Sequence, residues 1–190
     1  MPDNSTAPTY PASHTLGGQA VALRLMQRSD RDAFLDFSTK LDHHDLMFLQ
    51  RDITNPADVS RWIDSIEAGL TTTILAFVGE RVVGYAAVQR SPLPWTAHVA
   101  ELRVLIADEL RGKGLGRILT GDAFAMALSE GIEKMMAQMT LDQRGAIAVF
   151  EGIGFRPEAL LRDHVKDRDG KTHDLLVLSH EVSRYRDRTG

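Results

Sequence analysis

The sequence predicts a single α/β domain whose mixed, mostly antiparallel central sheet of about seven strands carries helices on both faces. Three observations support that fold class. Strand-like and helically spaced apolar runs alternate in the order β-α-α-β-β-β-α-β-α-β-β, which combines crossover connections with hairpins. Two tight-turn signals, Gly79-Glu80 and Asp167-Arg168-Asp169-Gly170, each join two strand-like runs and make them antiparallel. The chain is 190 residues long and 43% hydrophobic, enough to bury one core, and it shows no internal repeat.

Residues 1–19 hold Pro2, Pro8 and Pro11 among Ser, Thr and Gly. That composition buries too little apolar surface to offset the entropy of ordering, so a flexible tail is expected ahead of a domain at residues 20–184. Val21 to Leu25 has the apolar character of a first strand, and Ser29-Asp30 stands where an N-cap would precede Ala33, Phe34, Phe37 and Leu41 at helical spacing. After Pro56 the same period returns in Val59, Trp62, Ile63 and Ile66, with Gly69 as a stop. Thr71 to Val78 and Arg81 to Gln89 flank Gly79-Glu80, where the leading glycine suits a type II′ turn. Val99 to Ile106 follows the Pro92-Leu93-Pro94 break. A helix then runs to about Gly131 with Leu115, Ile118, Leu119, Ala123, Met126 and Ala127 on its core face. Met135 to Met139 is a strand, Asp142 to about Gly152 a short helix, and Ala159 to Lys166 with Thr172 to Glu181 a closing hairpin.

Composition narrows the function. With 22 Lys+Arg against 26 Asp+Glu the net charge is -4, which lacks the basic excess of a nucleic-acid binder, so no nucleic-acid partner is expected. The chain has no cysteine, which removes disulfides, a thiolate nucleophile and Cys-ligated zinc. Apolar runs such as Ile74 to Val78 are far too short to span a bilayer, and Met1 to Ala20 has neither the basic start nor the apolar stretch of a secretory signal. A cytoplasmic place without a membrane partner is therefore expected.

The chemistry concentrates in Arg111-Gly112-Lys113-Gly114-Leu115-Gly116, between the strand ending at Ile106 and the helix opening at Leu115. A helix N-terminus offers unpaired N–H donors and partial positive charge, and glycines let an anion approach them. Spacing decides which anion. Counted from Gly112, the last position of G-x-G-x-x-G is Arg117, and from Gly114 it is Leu119, so the dinucleotide fingerprint fails. No Gly-Lys-Ser/Thr follows at Walker spacing either. What remains is R-x-x-G-x-G after a strand and before a helix, and it resembles the acyl-CoA pyrophosphate loop of the GNAT superfamily of N-acyltransferases. Ala100 to Gly116 is similar to the corresponding stretch of bacterial protein-lysine acetyltransferases in that superfamily. Ala146-Ile147-Ala148-Val149-Phe150-Glu151-Gly152-Ile153-Gly154-Phe155 matches a second signature, a short helix ending in Gly-Phe before a strand.

The resemblance implies acetyl-CoA as co-substrate, no metal, and direct transfer of the acetyl group to a primary amine, either a small amine or a protein lysine. It also implies the cofactor contacts. Backbone groups of Leu105 and Ile106 would pair with the pantetheine arm. The N–H groups of Gly112, Lys113, Gly114, Leu115, Gly116 and Arg117 would hold the pyrophosphate. The Arg111 side chain would close the loop or touch phosphate, and Gln143 would take the place of an asparagine that contacts the pantetheine. An alkylammonium of pKa about 10.4 has no lone pair, so a base must deprotonate it before attack. Glu101 is the candidate catalytic base; the alternative is that Glu101 and Arg103, two apart on one strand face, pair with each other. A main-chain N–H of Leu105 or Ile106 would serve the oxyanion. Where many family members carry an acidic tyrosine this chain has Phe150, and a thiol of pKa about 8.5 is already a competent leaving group. The alternative function is a non-catalytic acyl-CoA sensor or interaction module.

Other clusters read differently. His43-His44-Asp45 has no third spaced ligand for a metal; the resemblance implies that the loop after the first helix borders the acceptor pocket, which makes His44, Asp45 and Phe48 candidates for that border. His164 and His173 are expected to face each other, or nearly so, across the last hairpin depending on turn register, as a surface pair. A homodimer is compatible with the sequence.

Overall fold

In the computed structural model, which describes residues 7–182 except 47, 48, 50 and 168, the apolar runs Thr71–Val78 (β3) and Arg81–Arg90 (β4) are buried on both faces. They are central in an eight-stranded sheet of order β1-β2-β3-β4-β5-β6-β8-β7. The other strands are Ala12–Leu16 (β1), Gln19–Leu25 (β2), Val99–Ile106 (β5), Lys134–Thr140 (β6), Arg156–Lys166 (β7) and Thr172–Glu181 (β8). Neighbours are antiparallel except β5 and β6, which are parallel because a helix returns the chain between them. The helices are Arg31–Ser38 (α1), His43–Leu46 (α2), Pro56–Glu67 (α3), Leu115–Ser129 (α4) and Arg144–Gly152 (α5).

The sheet separates two cores. On one face α4 and α5 pack Leu115, Leu119, Phe124 and Phe150 against strand residues such as Val83 and Leu102. On the other, Phe34 and Phe37 of α1 and Trp62 of α3 surround Tyr85, whose ring lies edge-on to Phe34 at 5.2 Å and to Trp62 at 5.5 Å. Trp62 Nε1 donates to Thr73 Oγ1 at 2.9 Å, which satisfies the buried indole. The Asn55 carboxamide caps α3 through the Ala57 N–H, with Pro56 in the first turn.

Two expectations need correction. The flexible tail expected at residues 1–19 gives way at Ala12–Leu16 to β1, an eighth strand beside the roughly seven expected, which pairs with β2 through Gly17 and Gly18 at φ +56° and +80°, the two positive angles of a type I′ turn. Tyr10 also ties this segment down by donating to Asp122 of α4 at 2.9 Å. The Asp30 carboxylate does not cap the helix that follows. It accepts from Arg24 at 2.6 and 2.7 Å and from the Gln27 N–H at 2.8 Å. Gly79 has φ +60°, as the type II′ turn requires.

Candidate active site

β5 and β6 stay together only briefly. β5 pairs with β4 from Ala100 to Ile106, yet it pairs with β6 only at Val99, Ala100 and Glu101. Beyond Glu101 the two strands part, while the far edge of β6 remains paired to β8 as far as Thr140. The result is a vacant strand position. Ala107 N donates to Val83 O at 2.9 Å, and the alternation of an antiparallel ladder then fixes the direction of each peptide group in β5. The N–H and C=O of Leu105 turn toward Tyr85 in β4, whereas those of Val104 and Ile106 open into the gap. Leu105 is therefore spent on the sheet, and Val104 takes its place beside Ile106 as a group able to accept an added strand.

The gap leads to the glycine loop. Gly112 and Gly114 hold φ +71° and +95°, left-handed angles at which a side chain is strained. The first bond of α4 runs from Ile118 N to Gly114 O at 3.2 Å, so the N–H groups of Leu115, Gly116 and Arg117 have no acceptor within the helix, and no side chain caps it. A Cβ on Gly116 would stand 3.0 Å from Ile106 Cδ1. Lys113 N is turned inward to Leu110 O at 3.4 Å, and the Lys113 stem lies so close over Gly17 that a Cβ there would come within 2.7 Å of its Cδ. The hairpin of β1 and β2 is thus a wall of the loop.

Arg111 braces this turn. Its Nε donates to Ile106 O at 3.3 Å, and its terminal nitrogen contacts Asp45 of α2 and Asp108, the latter at 3.1 Å. Of the two roles expected for Arg111, closing the loop is the one these partners describe. Gln143 stands in the turn between β6 and α5, its carboxamide oxygen accepting from Thr140 N at 3.3 Å.

Glu101 is the last residue of β5 paired with β6 and so lies where the strands diverge. Its carboxylate is 2.5 Å from the Arg103 guanidinium, and both side chains are mostly buried. The ion pair considered from sequence therefore exists, but it does not settle the protonation. Burial drives the Glu101 pKa upward, Arg103 draws it down, and the net direction is up from the ordinary glutamate value. Phe150 is 4% exposed and packs its ring edge-on against Phe155 at 5.1 Å, which makes that position part of the core.

The far side of the gap is built from side chains. His44 Nε2 lies 2.7 Å from Asp142 Oδ2 and 3.4 Å from Thr140 Oγ1, and its ring meets that of His173 at 5.9 Å. His173 does not pair with His164, because β7 and β8 register Val165 opposite His173; it bonds Asp167 at 2.7 Å. A cavity of about 610 Å³ opens here, lined by residues including Asp42, His43, His44, Asp52, Lys166 and Asp167. Phe48 lies outside the described residues. Sequence reasoning missed Asp142, whose only local signal was its place before Gln143, and Asp167, which it used as a turn residue.

The family profile described as "Acetyltransferase (GNAT) family" matches residues 31–155, which covers the splayed strands, the glycine loop and α5. The chain belongs to the GNAT acetyltransferase family. The Bacillus subtilis (strain 168) protein named "Putative phosphinothricin acetyltransferase YwnH" is 26% identical over 168 residues, spanning 86% of this chain and 100% of that one. Among solved structures, yncA of Salmonella typhimurium with its cofactor acetyl-CoA superposes with a TM-score of 0.71 at 17% identity, covering 85% of this chain and 94% of that one. The spermidine N-acetyltransferase of Vibrio cholerae, in complex with CoA and spermine, also gives 0.71, at 16% identity over 87% of this chain and 98% of that one. At those identities the structural likeness speaks for the fold. Family membership makes the protein an acetyl-CoA-dependent N-acetyltransferase. The residues present fit that co-substrate, since a vacant strand position suits an amide-bearing arm and an uncapped helix start suits a pyrophosphate. Among the described residues no helix is long and apolar enough to cross a membrane.

Proposed function

We propose that this GNAT enzyme moves the acetyl group of acetyl-CoA directly to a primary amine within one ternary complex, with Glu101 as general base. The observation that carries the reading is the placement of Glu101, buried and raised in pKa, at the point where β5 and β6 diverge. Val104 and Ile106 offer backbone groups to the pantetheine amides, and the free N–H groups of Leu115, Gly116 and Arg117 bind the pyrophosphate together with those of Gly112 and Gly114. Lys113 adds charge from the rim, Arg111 holds the loop in shape, and Gln143 faces the pantetheine from the opposite bank.

Glu101 takes a proton from the ammonium, directly or through water. The freed nitrogen attacks the thioester carbonyl carbon, and the Ile106 N–H stabilises the resulting oxyanion. The C–S bond then breaks, and the proton leaving the new amide nitrogen neutralises the thiolate. No acid at position 150 is needed. Two relatives carry small-molecule names, phosphinothricin and spermidine, and the cavity has the volume of a small-molecule pocket; both support a small amine over a protein lysine.

Steady-state release of CoA thiol against a panel of small amines and lysine peptides tests the proposal. Turnover with at least one small amine, lost in Glu101→Gln, is the expected result. CoA binding without turnover on any acceptor would instead favour the sensor reading.

A further inference from the structure

β2 is longer than its place in the sheet. It pairs with β3 only from Ala22 to Leu25, whereas Gln19 to Leu23 pair with β1, so the turn end of the first hairpin runs past β3 as a two-stranded ribbon. Such a ribbon is marginal in water and must lie on something. Here it lies on α4. Tyr10, Ala12 and Leu16 pack against the core that α4 shares with the sheet, and the Tyr10 hydroxyl donates to Asp122 Oδ2 at 2.9 Å.

The other end of the ribbon reaches the glycine loop. A Cβ on Gly114 would stand 3.9 Å from Leu16 Cδ2, and one on Gly17 would come within 2.7 Å of Lys113 Cδ. The ribbon therefore meets α4 twice, at its cap and about two turns further on at Asp122. Lys113 gains most from this. Its N–H is turned inward to Leu110 O at 3.4 Å, so what it offers an anion is its ammonium, on a stem that is costly to order at the moment of binding. Packed along the bare backbone of Gly17, that stem has lost much of its freedom beforehand. The support comes from outside residues 31–155, the part of the chain that matches the family profile, and it serves a loop that lies inside them.

We propose that the N-terminal ribbon is a positioning element of the donor site. The clasp of Tyr10 on Asp122 seats the ribbon on α4, and the Gly17 tip holds the Lys113 stem so that its ammonium meets the phosphates of acetyl-CoA. Tyr10 touches neither donor nor acceptor; it is a positioning residue that acts through Lys113. The inference rests on the donor-site assignment made above.

Calorimetric titration of CoA into the wild type, Tyr10→Phe, Lys113→Met and the double variant separates this role from a general loosening of the fold. Tyr10→Phe should weaken CoA binding about threefold or more, as loss of a bond to a carboxylate implies. Its kcat at saturating acetyl-CoA should stay within about twofold of the wild type, because the reacting atoms are untouched. Lys113→Met should weaken CoA binding as well, and Tyr10→Phe should then add nothing to it, since the two act as a unit. Asp122→Ala cuts the clasp from the α4 side and should reproduce the result, which keeps the test open if Tyr10→Phe folds poorly. CoA affinity unchanged in Tyr10→Phe and Asp122→Ala, unchanged in Lys113→Met, or lost equally with and without Lys113, overturns the ribbon's role alone. Absence of CoA binding by the wild type overturns the donor site and the ribbon's role with it.

Discussion

Between β5 and α4 the chain offers backbone: the peptide groups of Val104 and Ile106 and the free N–H groups at the start of α4. Between α2 and the β7–β8 hairpin it offers side chains, His44, His173, Asp142 and Asp167, held by one another. A backbone site recognises what every acyl-CoA shares, its amides and phosphates, and needs little besides glycines at fixed spacing. A side-chain wall recognises what differs between acceptors and can change without disturbing the sheet. One fold can thereby keep its donor while varying its amine.

The largest effect expected is at the junction of the two regions. Glu101→Gln should lower kcat/KM by about 100-fold or more while leaving CoA affinity within a few-fold, because the side chain acts on the proton and not on the phosphates. The sign of the pH dependence follows from burial, which raises the Glu101 pKa despite Arg103. The base is lost as pH falls through that raised value, so the acid limb of the kcat/KM profile should lie above the ~4.3 of an ordinary glutamate and vanish in Glu101→Gln. A limb at the ordinary value, or one that survives the substitution, would dissolve the contrast between the regions at its centre.

A smaller effect should come from the wall behind the donor loop. Gly17→Ala places a methyl 2.7 Å from the Lys113 stem at a left-handed φ, a strain of about 1–2 kcal/mol, and titration should show CoA affinity reduced severalfold with kcat retained. The smallest effect on catalysis is expected at Asp30, remote from both regions. Asp30→Asn should lower unfolding stability at neutral pH by about 1–2 kcal/mol, the lower end for a charged hydrogen bond because Arg24 is partly exposed, with little change in kcat/KM. Burial raises the Asp30 pKa, but the bonds from Arg24 and the Gln27 N–H outweigh it and the net direction is down. The stabilisation is therefore present above the unfolded value of ~3.9 and is lost as pH falls through the depressed folded one, so denaturation of the two proteins should converge in acid.

Legibility in the sequence follows the same division. The glycine loop, the type II′ turn at Gly79 and the helix at Leu115 were readable because each is a local backbone demand with a residue signature. The first hairpin carried such a signature too, Gly17-Gly18 between His14-Thr15-Leu16 and Gln19-Ala20-Val21, but three nearby prolines masked it. The roles of Leu105 and Val104 depend on which peptide groups β4 consumes, and that parity is set by register between strands and not by either residue. The contact of Asp45 with Arg111 spans 66 positions and that of His44 with Thr140 spans 96, so nothing local announces them. Phe150, recognised from sequence as unable to donate a proton, proves to belong to the core beside Phe155.

The claim that the start of α4 is the donor site is tested most directly by calorimetric titration of CoA into the wild type and Gly114→Glu. Gly114 holds φ +95° at the mouth of the loop, where a glutamate brings both backbone strain and a negative charge against the pyrophosphate. The expected result is saturable one-to-one binding by the wild type and affinity weakened by about 100-fold or more in the variant, the loss of roughly two charge-assisted bonds. CoA binding by Gly114→Glu equal to that of the wild type, in a variant that remains folded, would contradict it.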